Sequence, residues 1–151
     1  SIAYGLGSRY GVKVYSITAE LVYCVPNYAE VKKLRNKRQL KDKIGFVQRG
    51  EVTFYDKVMN AQACGVVALI IMDDGQCDDN FLSCGKRIGG VNEGGFGAFD
   101  QNDMWVKVTI PVLLVTKQTG QKLQRMMNLA KEHSEEWGEQ YYTKETDENE
   151  L

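Results

Sequence analysis

Few residues in this chain combine the types and spacing that chemistry requires. His133 is the only histidine, so a Ser-His-Asp or Cys-His arrangement would have to run through it, and a zinc site would lean on thiolates. It sits in the polar stretch KEHSEEW and reads as a surface residue, with a general base as the alternative. Cys77 and Cys84 are too far apart for a C-x-x-C zinc knuckle. Both lie in one Gly-rich stretch, where a local disulfide would restrain the loop by about 2.5 kcal/mol on the chain-entropy argument, given an oxidising compartment. Cys24 and Cys64 read as free, buried thiols. Asp73, Asp74, Asp78 and Asp79, with Asn80, gather hard oxygen ligands of the kind calcium takes, but Gly85 stands where an EF-hand needs its Glu. Solvated carboxylates after a strand are the reading, a weak cation site the alternative. Gly94-Gly95-Phe96-Gly97 completes neither G-x-G-x-x-G nor a Walker motif. Phe96, Phe99 and Trp105 are either tucked beneath the loop or offered to a partner.

The elements around these residues follow from periodicity and caps. VKVYSITAELVYCV, from Val12 to Val25, predicts one or two strands ending at Pro26. The basic run Lys32–Lys43, with Asp42 its only acid, predicts a solvated loop or short helix, an anion or acidic-partner patch being the alternative. Ile44–Gln48 predicts a central strand. Thr53-Phe54-Tyr55-Asp56 fits a capping box, and Phe54, Val58 and Ala61 fall at i, i+4 and i+7 on a helix ending near Gly65. Val66–Met72 predicts a buried strand and closes a right-handed βαβ unit, hence parallel pairing. Asp73–Thr109 predicts a long irregular segment of the functional kind. Ile110–Thr116 predicts another strand, and Thr116 a cap for a helix carrying Leu123, Met127 and Ala130 on one face, with Met126 beside it. Ser134–Leu151 is acidic; Trp137, Tyr141 and Tyr142 are expected in a last edge strand, and the final eight residues are expected to fray.

The chain has 151 residues, 43% of them hydrophobic and 26% charged, which suits one folded domain rather than disorder. With 19 Lys+Arg against 20 Asp+Glu the net charge is -1, so no overall positive field favours nucleic acid. The longest apolar run, Val66–Met72, is far short of the roughly 20 residues that span a bilayer, so no membrane insertion is expected. The sequence opens at Ser1 without a signal-peptide pattern and is expected to be a mature or excised piece. It contains no Asn-x-Ser/Thr acceptor, and its closing Glu-Asn-Glu-Leu departs from retrieval tails.

Lys43-Ile-Gly-Phe-Val-Gln-Arg-Gly50, then Phe54, Lys57, Asn60-Ala61-Gln62, Gly65 and VVALII, followed by Ile110-Pro-Val, Val115-Thr116, Gly120 and Leu123, resemble in order the protease-associated (PA) domain. NAQ before the strand and VTK after IPV are most like the PA domains of vacuolar sorting receptors. The resemblance covers about residues 21–127. It departs at Val52, where many members carry a bridging Cys, and at Ala63-Cys64-Gly65, where Ala-Gly-Ala is usual. It implies an α/β (α+β) fold: a mixed sheet or open barrel with flanking helices and a long Gly-rich loop, spanning residues 1–133 ahead of an acidic segment, 134–151. It also implies a module that is not an enzyme, needs no cofactor and binds a protein or peptide. Such modules sit in sorting receptors or beside peptidases, glycosidases and membrane-anchored ubiquitin ligases, in the secretory-pathway lumen or outside the cell. By matched position, Arg49, Gly50 and Glu51 would hold the peptide; independently of the resemblance, Phe96, Phe99 and Trp105 of the Gly-rich stretch are the candidate residues for the rest of that surface.

Overall fold

The structure, a computed structural model, describes residues 6–7, 16–77 and 106–138. Five strands form one mixed sheet: β1 (Leu6–Gly7), β2 (Leu21–Tyr23), β3 (Ile44–Gln48), β4 (Ala68–Met72) and β5 (Val112–Val115), in the order β1-β5-β4-β3-β2. Strands β2 to β5 run parallel, with Ile44 opposite Ala68, Gln48 opposite Met72, and Met72 opposite Val115; β1 is antiparallel to β5. The three apolar runs therefore share one sheet, as the βαβ reading requires. β3 coincides with its run, whereas β4 and β5 start two residues later than theirs. Val66 and Val67 lead into β4, with Val67 N–H donating to the Lys43 carbonyl, and Pro111 precedes β5, where its carbonyl accepts from Leu69 N–H.

Alternation along the strands divides the core between two faces. Val47, Leu69, Ile71, Val112 and Leu114 pack against helix α2 (Phe54–Gln62) through Phe54, Val58 and Ala61. Phe46, Met72 and Val115 form the other face, with Leu123 from helix α3 (Lys117–Gly138) packed against them. Both expected caps are present: Thr53 Oγ1 accepts from Asp56 N–H at 3.1 Å and Thr116 Oγ1 from Thr119 N–H at 3.2 Å. Gly120 lies where the first turn of α3 crosses β4, and a β-carbon there would overlap the Met72 side chain. Only glycine lets the helix seat this closely.

Between Val12 and Val25 one strand, Leu21–Tyr23, forms among the described residues, within the one or two expected, and helix α1 (Lys37–Leu40) is the short helix expected inside the basic run. Two features differ from expectation. The sheet gains Leu6–Gly7, which carried no strand signal. Helix α3 continues to Gly138, so Trp137 is helical rather than in an edge strand. At about 1.5 Å per residue α3 is roughly 33 Å long, whereas β5 is roughly 13 Å. The helix outruns its sheet, which is why Met126 and Leu129 are 60% and 63% exposed and Ala130 is exposed too. Tyr141, Tyr142 and the last eight residues lie outside the described residues.

The outer edge of β2 is closed by a side chain. Asn36, 6% exposed, accepts from Val25 N–H at 3.0 Å and donates to the Tyr23 carbonyl at 2.6 Å, so its amide takes the place of a neighbouring strand's peptide group.

Candidate functional site

At the carboxyl ends of the parallel strands, four segments converge: 24–29 after β2, 49–52 after β3, 73–77 after β4 and Thr116 after β5. The ladders run one residue past the strands, through Arg49 N–H to the Met72 carbonyl and Asp73 N–H to the Val115 carbonyl, both 2.9 Å. This is the edge at which open α/β sheets form their crevices.

Arg49 does not face outward as its placement in the peptide-holding turn suggested. It is 3% exposed, its Nη1 donates to Asp73 Oδ1 at 2.7 Å, and its guanidinium stacks 5.3 Å from the centre of the Phe54 ring. The reason is topological: neighbouring parallel strands end in register, so the residue after β3 meets the residue after β4, and an acid there draws the guanidinium inward. Asp73 is fully buried, and its Oδ2 accepts from Gly75 N–H and Cys77 N–H, each at 2.8 Å. Burial alone would push its carboxyl up, but the Cys77 N–H, the Arg49 guanidinium and the Gly75 N–H together outweigh burial and hold it below the ordinary carboxylate range. Both oxygens of this acid are thus engaged within the fold. Asp74 is exposed and occupied locally, accepting from the Gln76 side-chain amide at 2.8 Å. Among the described residues no group of three His, Cys, Asp or Glu is arranged to hold a metal.

Gly50 and Glu51 form the outer part of the turn. Val52 N–H donates to the Gly50 carbonyl at 2.8 Å across Glu51, whose φ is +69°. This is a three-residue turn of the rare, strained hand. Gly50 itself has φ +123°, with a Tyr28 ring carbon 3.3 Å from where a β-carbon would stand. The strain is held from inside by Lys57, fully buried on α2, whose Nζ donates to the Gly50 carbonyl at 2.6 Å and the Tyr28 carbonyl at 2.7 Å. Asn60, one turn further, donates to the Ala29 carbonyl at 2.7 Å. The Glu51 side chain is left exposed at the tip.

Lys57 and Asn60 had stood out only as words of a resemblance, not as site residues. Their signal was a polar pair at i, i+3 flanking the apolar stripe of α2. Cys24 and Cys64 are free thiols, as expected, but only Cys24 is buried, Cys64 being half-buried; the Cys24 thiol is pushed up to about 12, chiefly by burial and then by Cys64 nearby. A thiol held so high is a poor nucleophile at neutral pH. His133 lies on α3. Asp78, Asp79, Asn80, Cys84, Phe96, Phe99 and Trp105 lie outside the described residues.

The fold is similar to that of BSAP, a zinc aminopeptidase from Bacillus subtilis, with a TM-score of 0.57 at 22% identity over 82% of this chain. A second, medium-resolution structure of BSAP gives 0.53, also at 22% identity and 82% coverage. An aminopeptidase from Aneurinibacillus sp. strain AM-1 aligns at 25% identity over 83% of this chain, with a TM-score of 0.48. In each case the chain spans 25% of the length of the enzyme it matches. No curated protein matches it. The PA domain family matches residues 17–123, which take in β2 through the first turns of α3 and the whole of the turn just described. The chain belongs to the PA domain family.

Proposed function

We propose that this chain is a non-catalytic PA module that binds a peptide or protein segment at the carboxyl edge of its sheet, with Gly50 and Glu51 as the fixed contact. PA domains are generally protein-interaction modules. The observation that supports the reading is the strained Glu51 turn, held by Lys57 from beneath while its carboxylate stays exposed. Preorganisation of this kind lowers the ordering cost of binding. Arg49 serves as the strut of the surface rather than a contact. Phe96, Phe99 and Trp105, from the Gly-rich stretch of the sequence, are the apolar contacts in this proposal. The parent is a peptidase-type protein of the secretory-pathway lumen or cell exterior, whose catalytic domain lies elsewhere in the chain; a sorting receptor is the other setting, and the parent reading frame separates them.

Peptides enriched from a random library on the 151-residue chain are expected to bind the Glu51→Gln variant about tenfold or more weakly, the worth of one charged hydrogen bond, with an unchanged melting temperature. Equal affinity would remove the turn from the site. Turnover of an aminoacyl anilide by the isolated chain supplied with zinc would end the non-catalytic reading.

A Cys77–Cys84 staple of the segment after β4 belongs to the same proposal; among the described residues the free thiols are Cys24 and Cys64. A non-reduced proteolytic digest is expected to yield one cross-linked peptide containing Cys77 and Cys84; recovery of both as alkylated thiols from protein made in an oxidising compartment would refute the staple.

A further inference from the structure

We propose a second binding surface, on the face of the domain that carries α1, for a linear sulfated glycan. The chain as a whole is nearly neutral, yet Lys32, Lys33, Arg35, Lys37, Arg38 and Lys41 are all exposed within one short stretch. None of these six is in an ion pair with another described residue; of this run only Lys43 is paired, with Glu20 at 3.2 Å.

Ordinary solvated loops scatter their charges. This one is nailed down. Leu34 and Leu40 are buried in the core, and Asn36 is buried in the amide bridge to β2. Arg35 N–H donates to the Val25 carbonyl at 2.7 Å, and the stretch closes through Asp42 N–H to the Gly65 carbonyl at 2.9 Å. Three buried anchors alternating with cations fix which way the segment faces, so the cations are presented together rather than free to disperse. Holding six like charges on one ordered segment works against folding by self-repulsion, a cost that a polyanion would relieve.

The chemistry favours a sulfated glycan over other polyanions. None of the six cations is buried, so a small anion would stay hydrated, whereas a linear polyanion engages several at once and releases its counterions. Residues 31–43 hold no aromatic side chain on which bases could stack, and α1 has four residues, too few to read a groove. The same four residues cannot make an amphipathic membrane helix, and the exposed apolar groups beside the patch are Val25 and Val31, with no aromatic or Leu wedge. Guanidinium and ammonium groups meet sulfate oxygens with charge-assisted hydrogen bonds.

The test uses the whole chain and immobilised heparin as the probe. The chain is expected to be retained, with affinity falling steeply as NaCl rises. Lys32→Ala/Lys33→Ala/Arg35→Ala is expected to bind at least about tenfold more weakly with an unchanged melting temperature, while Lys32→Arg/Lys33→Arg binds as the parent does. The proposal is overturned if the triple alanine variant keeps its affinity, if fully desulfated heparin binds equally well, or if phosphatidylglycerol vesicles or duplex DNA bind more tightly at the same salt. Because none of the six cations is in an ion pair with Glu51, the Glu51→Gln variant should bind heparin normally, which separates this surface from the peptide site.

Discussion

Arg49→Ala is expected to destabilise the domain by about 3–5 kcal/mol, because it leaves Asp73 charged, buried and without its cation. For a chain of this size that is a fall in melting temperature of about 10 °C. The pair is 2.7 Å apart, with side chains 1% and 0% exposed, so neither solvent nor salt screens it. Double substitution distinguishes the pair from a simple loss of packing. Arg49→Met with Asp73→Leu would remove both charges but orphan the Gly75 and Cys77 N–H groups that Asp73 Oδ2 satisfies. Arg49→Met with Asp73→Asn keeps an oxygen for those donors, and it should be more stable than Arg49→Met alone. Equal stability of the two would mean that an unpaired Asp73 charge costs nothing, against the premise of the prediction.

The same carboxylate sets the pH dependence. Asp73 is held below the ordinary range when folded, so its contribution is complete above the unfolded value of about 3.9 and is lost as pH falls through the lower folded value. In Arg49→Ala the depression is reduced, because the guanidinium is one of its causes. Urea unfolding curves between pH 7 and pH 3 should therefore show the gap between parent and variant narrowing below about pH 4. A gap that stays constant would assign the loss to packing on Phe54 instead.

The contrast between Arg49 and Thr53 explains what could be read in advance. Thr53 acts on a residue three positions away, and its cap is a local rule, so the sequence pattern sufficed. The apolar runs of β3, β4 and β5 were equally legible, because a short apolar run between turn signals has few other uses in a domain of this size. Arg49 meets Asp73 24 residues away, and Lys57 meets Tyr28 29 residues away. Neither partner can be named until strand order and register bring the carboxyl ends together. The burial of both cations inverted the usual expectation that Arg and Lys lie outside. An arginine next to a turn glycine looked like a contact for ligand; it is buried and paired with Asp73 instead. The edge strand Leu6–Gly7 was illegible for a different reason. Two residues carry no periodicity, and only the exposed backbone of β5 recruits them.

Lys57→Met carries the second large effect and tests how strain is held at the tip. Methionine fills a similar volume, so the apolar stem of the lysine is replaced without a cavity. What is lost is a pair of charge-assisted bonds, to the Gly50 carbonyl at 2.6 Å and the Tyr28 carbonyl at 2.7 Å. Two buried acceptors left without their donor cost about 2–4 kcal/mol, offset in part because a buried ammonium no longer needs stabilising. The local consequence matters more than the total. Glu51 sits at φ +69°, and such a residue persists only while its surroundings over-determine it. Without the Lys57 clamp the turn should relax, the Val52 N–H bond to Gly50 should open, and its amide should exchange much faster than the amides of β3 and β4. Peptide binding should fall with it even at temperatures where the variant is fully folded. If Val52 exchange rises only in step with global stability, the clamp is not local, and the exposed carboxylate is no more rigid than any surface glutamate.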